Sequence, residues 1–440
     1  MPAPTTPDRA AYDPAAEVVE ICSDLIGIDT SNFGDQPGPG ERKAAEHVAA
    51  LLDEVGIDVE LYESEPGRTS VVGRWGGQRG EPVLLHGHLD VVPAEASDWA
   101  VHPFSGEVTE GMVWGRGAVD MKDFDAMLLS SVRARARAGV VPDRPLVLCF
   151  TADEEAGGAK GAGFLAREHR DLLEDCTIAI GEVGGFSTTV RGRRIYLIEA
   201  AEKGMAWLRL TARGTAGHGS MRQPDNAVTK LASAVARIGA HQWPVRLTPS
   251  MEVLLAAVAE LAGTEATPEN AEALVDEFGS ASRMLGAVIR NSANPTMLSA
   301  GYKVNVVPGE ASAHIDGRFL PGYEDEFWDT LAVLAGPDVE ITKQVHMSSV
   351  ETPYEGDVVR AMTTSLLAED PGAIVAPYLM SGGTDAKYWD EIGMRCFGFA
   401  PLRLPADLDF TGLFHGVDER VPVDALEFGA RVFDRFLSEL

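Results

Sequence analysis

Three observations predict an α/β fold in which a mixed, largely parallel sheet covered by helices is interrupted by an inserted α+β unit of ferredoxin-like order. Short apolar strands alternate with amphipathic helices from residue 15 to 199, the pattern of a sheet with helices on its faces. From 200 to 347 the order becomes strand, helix, two strands, helix, strand, which suits a small layered unit of its own. From 348 to 440 the α/β texture returns, so the two outer segments are read as one domain. A chain of 440 residues exceeds the roughly 100–200 residues of an ordinary domain, as this division requires.

Residues 1–14, rich in Pro, Ala and Thr, read as a flexible tail. Over 17–25 and 41–55 apolar positions recur every three or four residues, which predicts two amphipathic helices. DVELYES (58–64), TSVVGRW (69–75) and PVLLHGHLD (82–90) are short, apolar or alternating and bounded by Gly, Pro and charge, so they read as strands. A helix over 124–138 leads to the strand PLVLCFTA (145–152), a helix near 161–169 and the strand CTIAIGE (176–182). In the insert MAWLRLTARG, TMLSAGYKV, EASAHIDGRF and DVEITKQV read as strands, and 226–238 and EDEFWDTLAVL as helices. The acidic, helix-like segment 243–290 carries no chemical motif, and ALEFGARVFDRFL closes the chain as an amphipathic helix.

Lys and Arg number 37 against 67 Asp and Glu, a net charge of −30. That field repels nucleic-acid backbones and anionic lipid, so neither partner is expected. No apolar run reaches the roughly 18 residues of a membrane span, and the first residues show no export signal. Cys22, Cys149, Cys176 and Cys396 are scattered without a CxxC pair, the usage of reduced thiols in the cytoplasm.

Chemistry concentrates at strand ends and loops, where open α/β sheets bind ligands. In LLHGHLDVVP, His88 and Asp90 stand two apart at the end of an apolar strand. In extended backbone they share a face, so Asp90 could accept from the His88 ring nitrogen that faces away from a metal. His86 reads as a partner for nearby backbone. In WGRGAVDMK, Asp120 precedes a helix and could cap it or, with two oxygens, bridge two cations. LVLCFTADEEAGG ends a strand in Asp153, Glu154 and Glu155, acids that repel unless cations or protons compensate. A solvated acidic turn is the plain alternative there. CTIAIGEVGG repeats the arrangement with Glu182, and FTGLFHGVDERVP carries His415 in a loop before the last helix.

Taken in order, GHLDVVP, GRGAVDMK, DEEAGG, AIGEVGG, GTAGHGS, SGGTDAKYW and LFHGVDE resemble the signature of the M20 metallopeptidases, which include aminoacylases, dipeptidases, glutamate carboxypeptidases, desuccinylases and acetylornithine deacetylases. The resemblance runs from about Ala15 to Leu440. It implies a catalytic domain interrupted by a lid and dimerisation domain, and an enzyme that hydrolyses an amide bond beside a free carboxylate. It makes His88, Asp120, Glu155, Glu182 and His415 ligands of two divalent ions, with Asp120 bridging. Zinc is expected, with cobalt or manganese as alternatives suited to the same donors. Asp90 becomes the residue orienting His88, and Glu154 the general base. His218 would reach the partner's active site in a homodimer, Arg318 would hold the substrate carboxylate, and Asn294 and Gly383 would touch substrate. Asn294 also reads as a turn residue before Pro295, and Asp385 as the cap of the following helix. Asp123 stands where the family commonly has glycine, which affects the local turn.

HExxH, GxSxG, GxxxxGK[ST] and a strand-linked GxGxxG are all absent, so a zincin, a serine hydrolase, a P-loop enzyme and a Rossmann dehydrogenase lack their residues. The substrate is expected to be a dipeptide or N-acyl amino acid. The other reading is a family member that binds carboxylated amides without cleaving them, which would have no need of Glu154.

Overall fold

A computed structural model describes residues 12–440, so most of the expected tail lies outside the described residues. The centre of the larger sheet is a parallel run in the spatial order Leu146–Thr151, Val83–His88, Ile178–Gly181, Arg395–Gly398. The first three strands are buried at every position, as expected where helices cover both faces. Antiparallel strands extend it on either side: Arg68–Trp75 and Val59–Glu65 beyond Leu146–Thr151, and Arg193–Glu202 beyond Arg395–Gly398.

Alternate side chains supply two cores. Leu84, Val147 and Ala179 meet Leu165 and Trp389 from the helices Ala162–Glu168 and Ala386–Glu391. Val83, Leu85 and Leu148 face the helices Val18–Gly27, Lys122–Arg137 and Val423–Glu439. There Phe124 and Phe433 meet edge to face with centroids 5.4 Å apart. Truncating a buried phenylalanine in such a place costs about 3–5 kcal/mol.

The smaller sheet has the order Ser292–Ala300, Glu310–Phe319, Gly204–Arg213, Val339–Met347. Its central strand Glu310–Phe319 alternates strictly between buried and less buried positions. The buried side packs on the helices Ala227–Ala240 and Glu324–Ala335. Asn294 lies within an edge strand, so the turn reading is corrected. Pro295 fits there, beside a bulge between 295 and 297, because an edge position leaves its missing N–H without consequence.

The segment with no motif folds as the helices Pro249–Ala262, Ala271–Asp276 and Ser282–Gly286. Met251, Leu254, Leu255 and Leu285 join the larger core together with Leu379, so this segment packs on the larger sheet and not on the smaller one. The chain passes between the two sheets at Glu202–Gly204 and again at Met347–Val350. Lys387 Nζ donates to the carbonyls of Lys203 (2.8 Å) and Ser348 (3.1 Å), one on each crossing, and pairs with Glu202 at 3.1 Å.

Lys203 is itself buried, with Nζ donating to the carbonyls of Ala287 (3.0 Å) and Arg290 (2.8 Å). Burial pushes its ammonium down to about 7, and Arg318 nearby adds to the fall. An unfolded lysine titrates near about 10.4, so between these values the unfolded chain holds more protons and stability from this site rises with pH. The melting temperature of the wild type relative to Lys203→Met should therefore climb between about pH 7 and pH 9.5. Melts of both proteins at the two pH values check this, and a constant difference would contradict it.

Candidate metal centre and substrate cavity

The three adjacent parallel strands deliver the site. His88 is the last residue of Val83–His88 and lies in register with Thr151. Glu154 and Glu155 follow Leu146–Thr151 through Asp153, whose backbone is left-handed at φ 68° and turns the chain sharply. Glu182 follows Ile178–Gly181. Asp120 and His415 arrive on loops.

Asp120 sits between the two imidazoles. One carboxylate oxygen is 3.1 Å from His88 Nε2 and the other 3.2 Å from His415 Nε2. It does not cap the helix that follows, whose N-cap position is Met121. Glu182 lies 3.4 Å from His88 Nε2, and Glu155 3.1 Å from His415 Nε2. Glu154 is in the same cage at 3.8 Å from His88. Two groups, His88 with Asp120 and Glu155, and His88 with Glu154 and Glu182, have ligand atoms all within 4.8 Å of one another.

Burial pushes Glu154 well above the usual carboxylate range, and Glu182 adds to it. Burial likewise raises Glu155, with Asp120 adding, and takes Glu182 to about 7 against the pull of His88. Burial alone would lower His88, but Glu182, Asp120 and Glu154 around it hold it well above its usual value. Hydrogen bonds to Asp120 and Glu155 raise His415 to about 10. The cage thus holds more negative charge than its imidazoles offset. Imidazole nitrogens and carboxylate oxygens are donors for zinc, cobalt or manganese, and these residues fit such ions.

Asp90 works differently from its expected part. The strand stops at His88, and the group facing His88 Nδ1 is the main-chain carbonyl of Asp90 at 2.9 Å, its carboxylate being 3.7 Å away. That carboxylate accepts from the backbone N–H groups of Glu154 and Glu155, each 3.1 Å, and from Asn32 at 2.8 Å. Asn32 accepts from Arg68 at 2.6 Å, and Arg68 is paired with buried Glu41. On the other side Glu419 accepts from the Val119 N–H (2.8 Å) and from Arg116 (2.6 Å), tying the Asp120 loop to the His415 loop. No motif marks Asn32, Arg68 or Glu41, whereas Arg116 lies inside GRGAVDMK. Glu419 could have been suspected from its place four residues after His415.

A cavity of about 580 Å³ opens from the cage to the smaller sheet. Arg318 lines it, gripped by Asp316 at 2.7 and 3.2 Å. Gly383 lines it too, and a Cβ there would lie 2.3 Å from Lys387 Cε. The Thr384 amide is turned away, accepted by Glu202 at 3.2 Å. Asp385 occupies the N-cap position of the helix Ala386–Glu391 as expected, but its side chain makes no capping hydrogen bond. Its carboxyl meets the Thr151 hydroxyl at 2.7 Å behind the cavity wall, and burial pushes it well above its usual range. Asn294, opposite Asp316 on the edge strand, is not among the lining residues. Nor is His218, which stands exposed on the ribbon Gly217–His218 with Nδ1 2.8 Å from Ser220 Oγ. His86 is buried edge-on against Trp389 with centroids 5.8 Å apart.

Comparison with known proteins identifies the family of the chain. The sequence profile described as peptidase family M20/M25/M40 matches residues 84–439. The human N-fatty-acyl-amino acid synthase/hydrolase PM20D1 is 27% identical over 370 residues, covering 79% of this chain and 72% of its own length. Aminoacylase-1 of Pongo abelii is 26% identical over 414 residues, covering 92% and 91%. Among solved structures, the M20 family metallo-carboxypeptidase Sso-CP2 from Sulfolobus solfataricus superposes with a TM-score of 0.71 at 18% identity, covering 96% of this chain and 98% of that one. The profile match takes in His88, the two strand ends that carry Glu154, Glu155 and Glu182, and the final helix, and the chain belongs to peptidase family M20/M25/M40, a hydrolase of peptide or linear amide bonds.

Proposed function

We propose that the chain is a two-metal hydrolase that cleaves an amide bond beside a free carboxylate. The observation that carries this reading is Asp120, whose two oxygens face different imidazoles, His88 at 3.1 Å and His415 at 3.2 Å. His88 with Glu182 and His415 with Glu155 would complete the holders on either side. When bound, two zinc ions, or cobalt or manganese in their place, would supply polarisation of the scissile carbonyl and acidification of the attacking water. Glu154 takes the proton from that water and returns it to the nitrogen as the C–N bond breaks, leaving a carboxylate and an amine. Of the three carboxylates around His88 Nε2 it is the farthest, which suits a base more than a holder. Asp90 fixes the His88 ring through its carbonyl and the 154–155 backbone through its carboxylate.

Arg318 takes the substrate carboxylate by exchanging it for Asp316, a bidentate pair for a bidentate pair. His218 serves the oxyanion of a partner subunit, in a homodimer joined through the smaller sheet. The edge strand Ser292–Ala300 and the turn after it support that interface, because Met297, Leu298, Tyr302 and Val304 are exposed on it and large apolar groups clustered on a surface mark contacts. Asn294, on the same strand, belongs to this interface, within reach of the partner's substrate. Four buried free thiols suit the cytoplasm, and no nucleic-acid or membrane partner is expected of so acidic a chain. Among the described residues no helix is long and apolar enough to cross a membrane.

Glu154→Gln should remain folded and bind metal while kcat falls about 10²- to 10⁴-fold. Metal analysis beside hydrolysis of dipeptides and N-acyl amino acids, before and after chelation and zinc return, measures both. Metal-independent silence of the wild type on every compound would favour a non-catalytic binder. Asp90→Ala removes the acceptor of two backbone amides, and metal affinity should drop about 10- to 100-fold, read by competition with a chelating dye. A mixture of His218→Ala and Glu154→Ala proteins, each inactive alone, should regain activity once subunits exchange. No recovery despite demonstrated exchange would remove the role of His218 across the interface.

A further inference from the structure

The hydrolytic reading leaves one cavity-lining acid without a part. Asp385 stands at the end of the loop Ser381–Thr384 in the wall of the cavity, yet it is only 3% exposed. Its Oδ2 lies 2.7 Å from the hydroxyl of Thr151, the last residue of the strand that leads into Glu154 and Glu155. Its Oδ1 is buried with no hydrogen-bond partner among the described residues. It lies against the turn that follows Glu155, where a Cβ on Gly158 would fall 2.5 Å from it. The carboxyl therefore touches the strand and the turn that aim the base, while its backbone belongs to the wall that faces substrate.

A hydroxyl has one hydrogen to give, and the Thr151 oxygen has two neighbours, Asp385 at 2.7 Å and the main-chain carbonyl of Gly87 at 3.0 Å. The carbonyl can only accept. An ionised Asp385 can only accept as well, so the two would compete for that hydrogen. A buried charge would then have a single donor on Oδ2 and none on Oδ1, a costly arrangement. The neutral acid removes the conflict: its O–H donates to Thr151, and the Thr151 O–H donates to Gly87. Of the charged groups that face it, Glu154, Glu182 and Asp90 favour the neutral form and His88 opposes it. Burial pushes up Cys149 on the same strand as Thr151 and Tyr388 on the following helix, so neither brings a charge.

Resting on the amide-hydrolase reading above, we propose that Asp385 is a positioning residue kept as a neutral acid, whose O–H to Thr151 pins the substrate-facing loop to the strand that carries the base. The link adds no further anion to a cage already rich in them, as an ionised aspartate would. Glu154 and Glu155 keep their own support in the Asp90 carboxylate, so loss of the pin falls on substrate binding more than on chemistry.

Asp385→Ala and Thr151→Val each remove the link, and each should raise KM for a hydrolysed amide about three- to tenfold with a smaller change in kcat. The double variant should be no worse than either single one, because both remove the same bond. Additive losses in proteins that melt alike would overturn the pin. Asp385→Asn keeps an uncharged donor of similar shape and should recover most of the binding lost in Asp385→Ala, with a pH profile of kcat/KM that superposes on the wild type. A loss as deep as that of the alanine variant, or a displaced acid limb, would show that an ionised carboxylate is needed. The protonation state is read without turnover, from an infrared carbonyl band of a protonated carboxyl that the wild type shows and Asp385→Asn lacks, in metal-free and zinc-loaded protein alike. Absence of that band in either state overturns the neutral acid whatever the protein hydrolyses, so a failure of this inference is distinct from a failure of the hydrolase reading.

Discussion

The carboxyl edge of three neighbouring parallel strands brings together more negative charge than a folded protein tolerates without compensation. Glu154, Glu155 and Glu182 follow those strands, and Asp120 is added from a loop. The arrangement depends on one interaction, the Asp90 carboxylate accepting the backbone amides of Glu154 and Glu155. Those bonds fix the tight turn after Asp153, and only that turn aims two successive glutamates into the cage. The line Glu41, Arg68, Asn32, Asp90 in turn holds that carboxylate with a buried guanidinium two bonds away. A carboxylate satisfied by fixed donors is a better anchor than one left to share a proton with a histidine, and here the main-chain carbonyl carries the histidine contact.

Much of this was legible in the sequence because it is local. Glu310–Phe319 alternates so regularly that its ends were read as they stand. His88, Glu155 and Glu182 each end or follow a short apolar run, and Asp120 and His415 lie in glycine-bearing loops. Arg193–Glu202 was missed, since its apolar run at 195–198 is only four residues long and is flanked by arginines and by Glu199 and Glu202. Asp385 was read as a cap on the general preference of aspartate for helix starts, but Thr151, distant in sequence, claims its carboxyl. The Asp90 carboxylate was assigned to His88 by spacing, and the strand ends at His88, two residues before Asp90. Asn32 and Arg68 act only through tertiary contacts, which no periodicity encodes.

The insert contributes its uncovered face. The helices Ala227–Ala240 and Glu324–Ala335 take one side of the smaller sheet, and the opposite side presents Met205, Trp207, Arg318 and Met347 to the cavity. The same sheet therefore supplies a core on one side and a recognition surface on the other, with the register of three strands deciding which residues stand together.

Lys387 gives the junction a mechanical character. Its ammonium is bonded to two of the segments that pass between the sheets, at Lys203 and Ser348, and its backbone follows the loop Ser381–Asp385 that walls the cavity. A swing of the smaller sheet about those segments would pull on the same nitrogen and, through it, on the loop. Opening for entry and tightening for reaction would then be one movement transmitted through a single side chain, and the breadth of the mouth would report the tilt of the sheet.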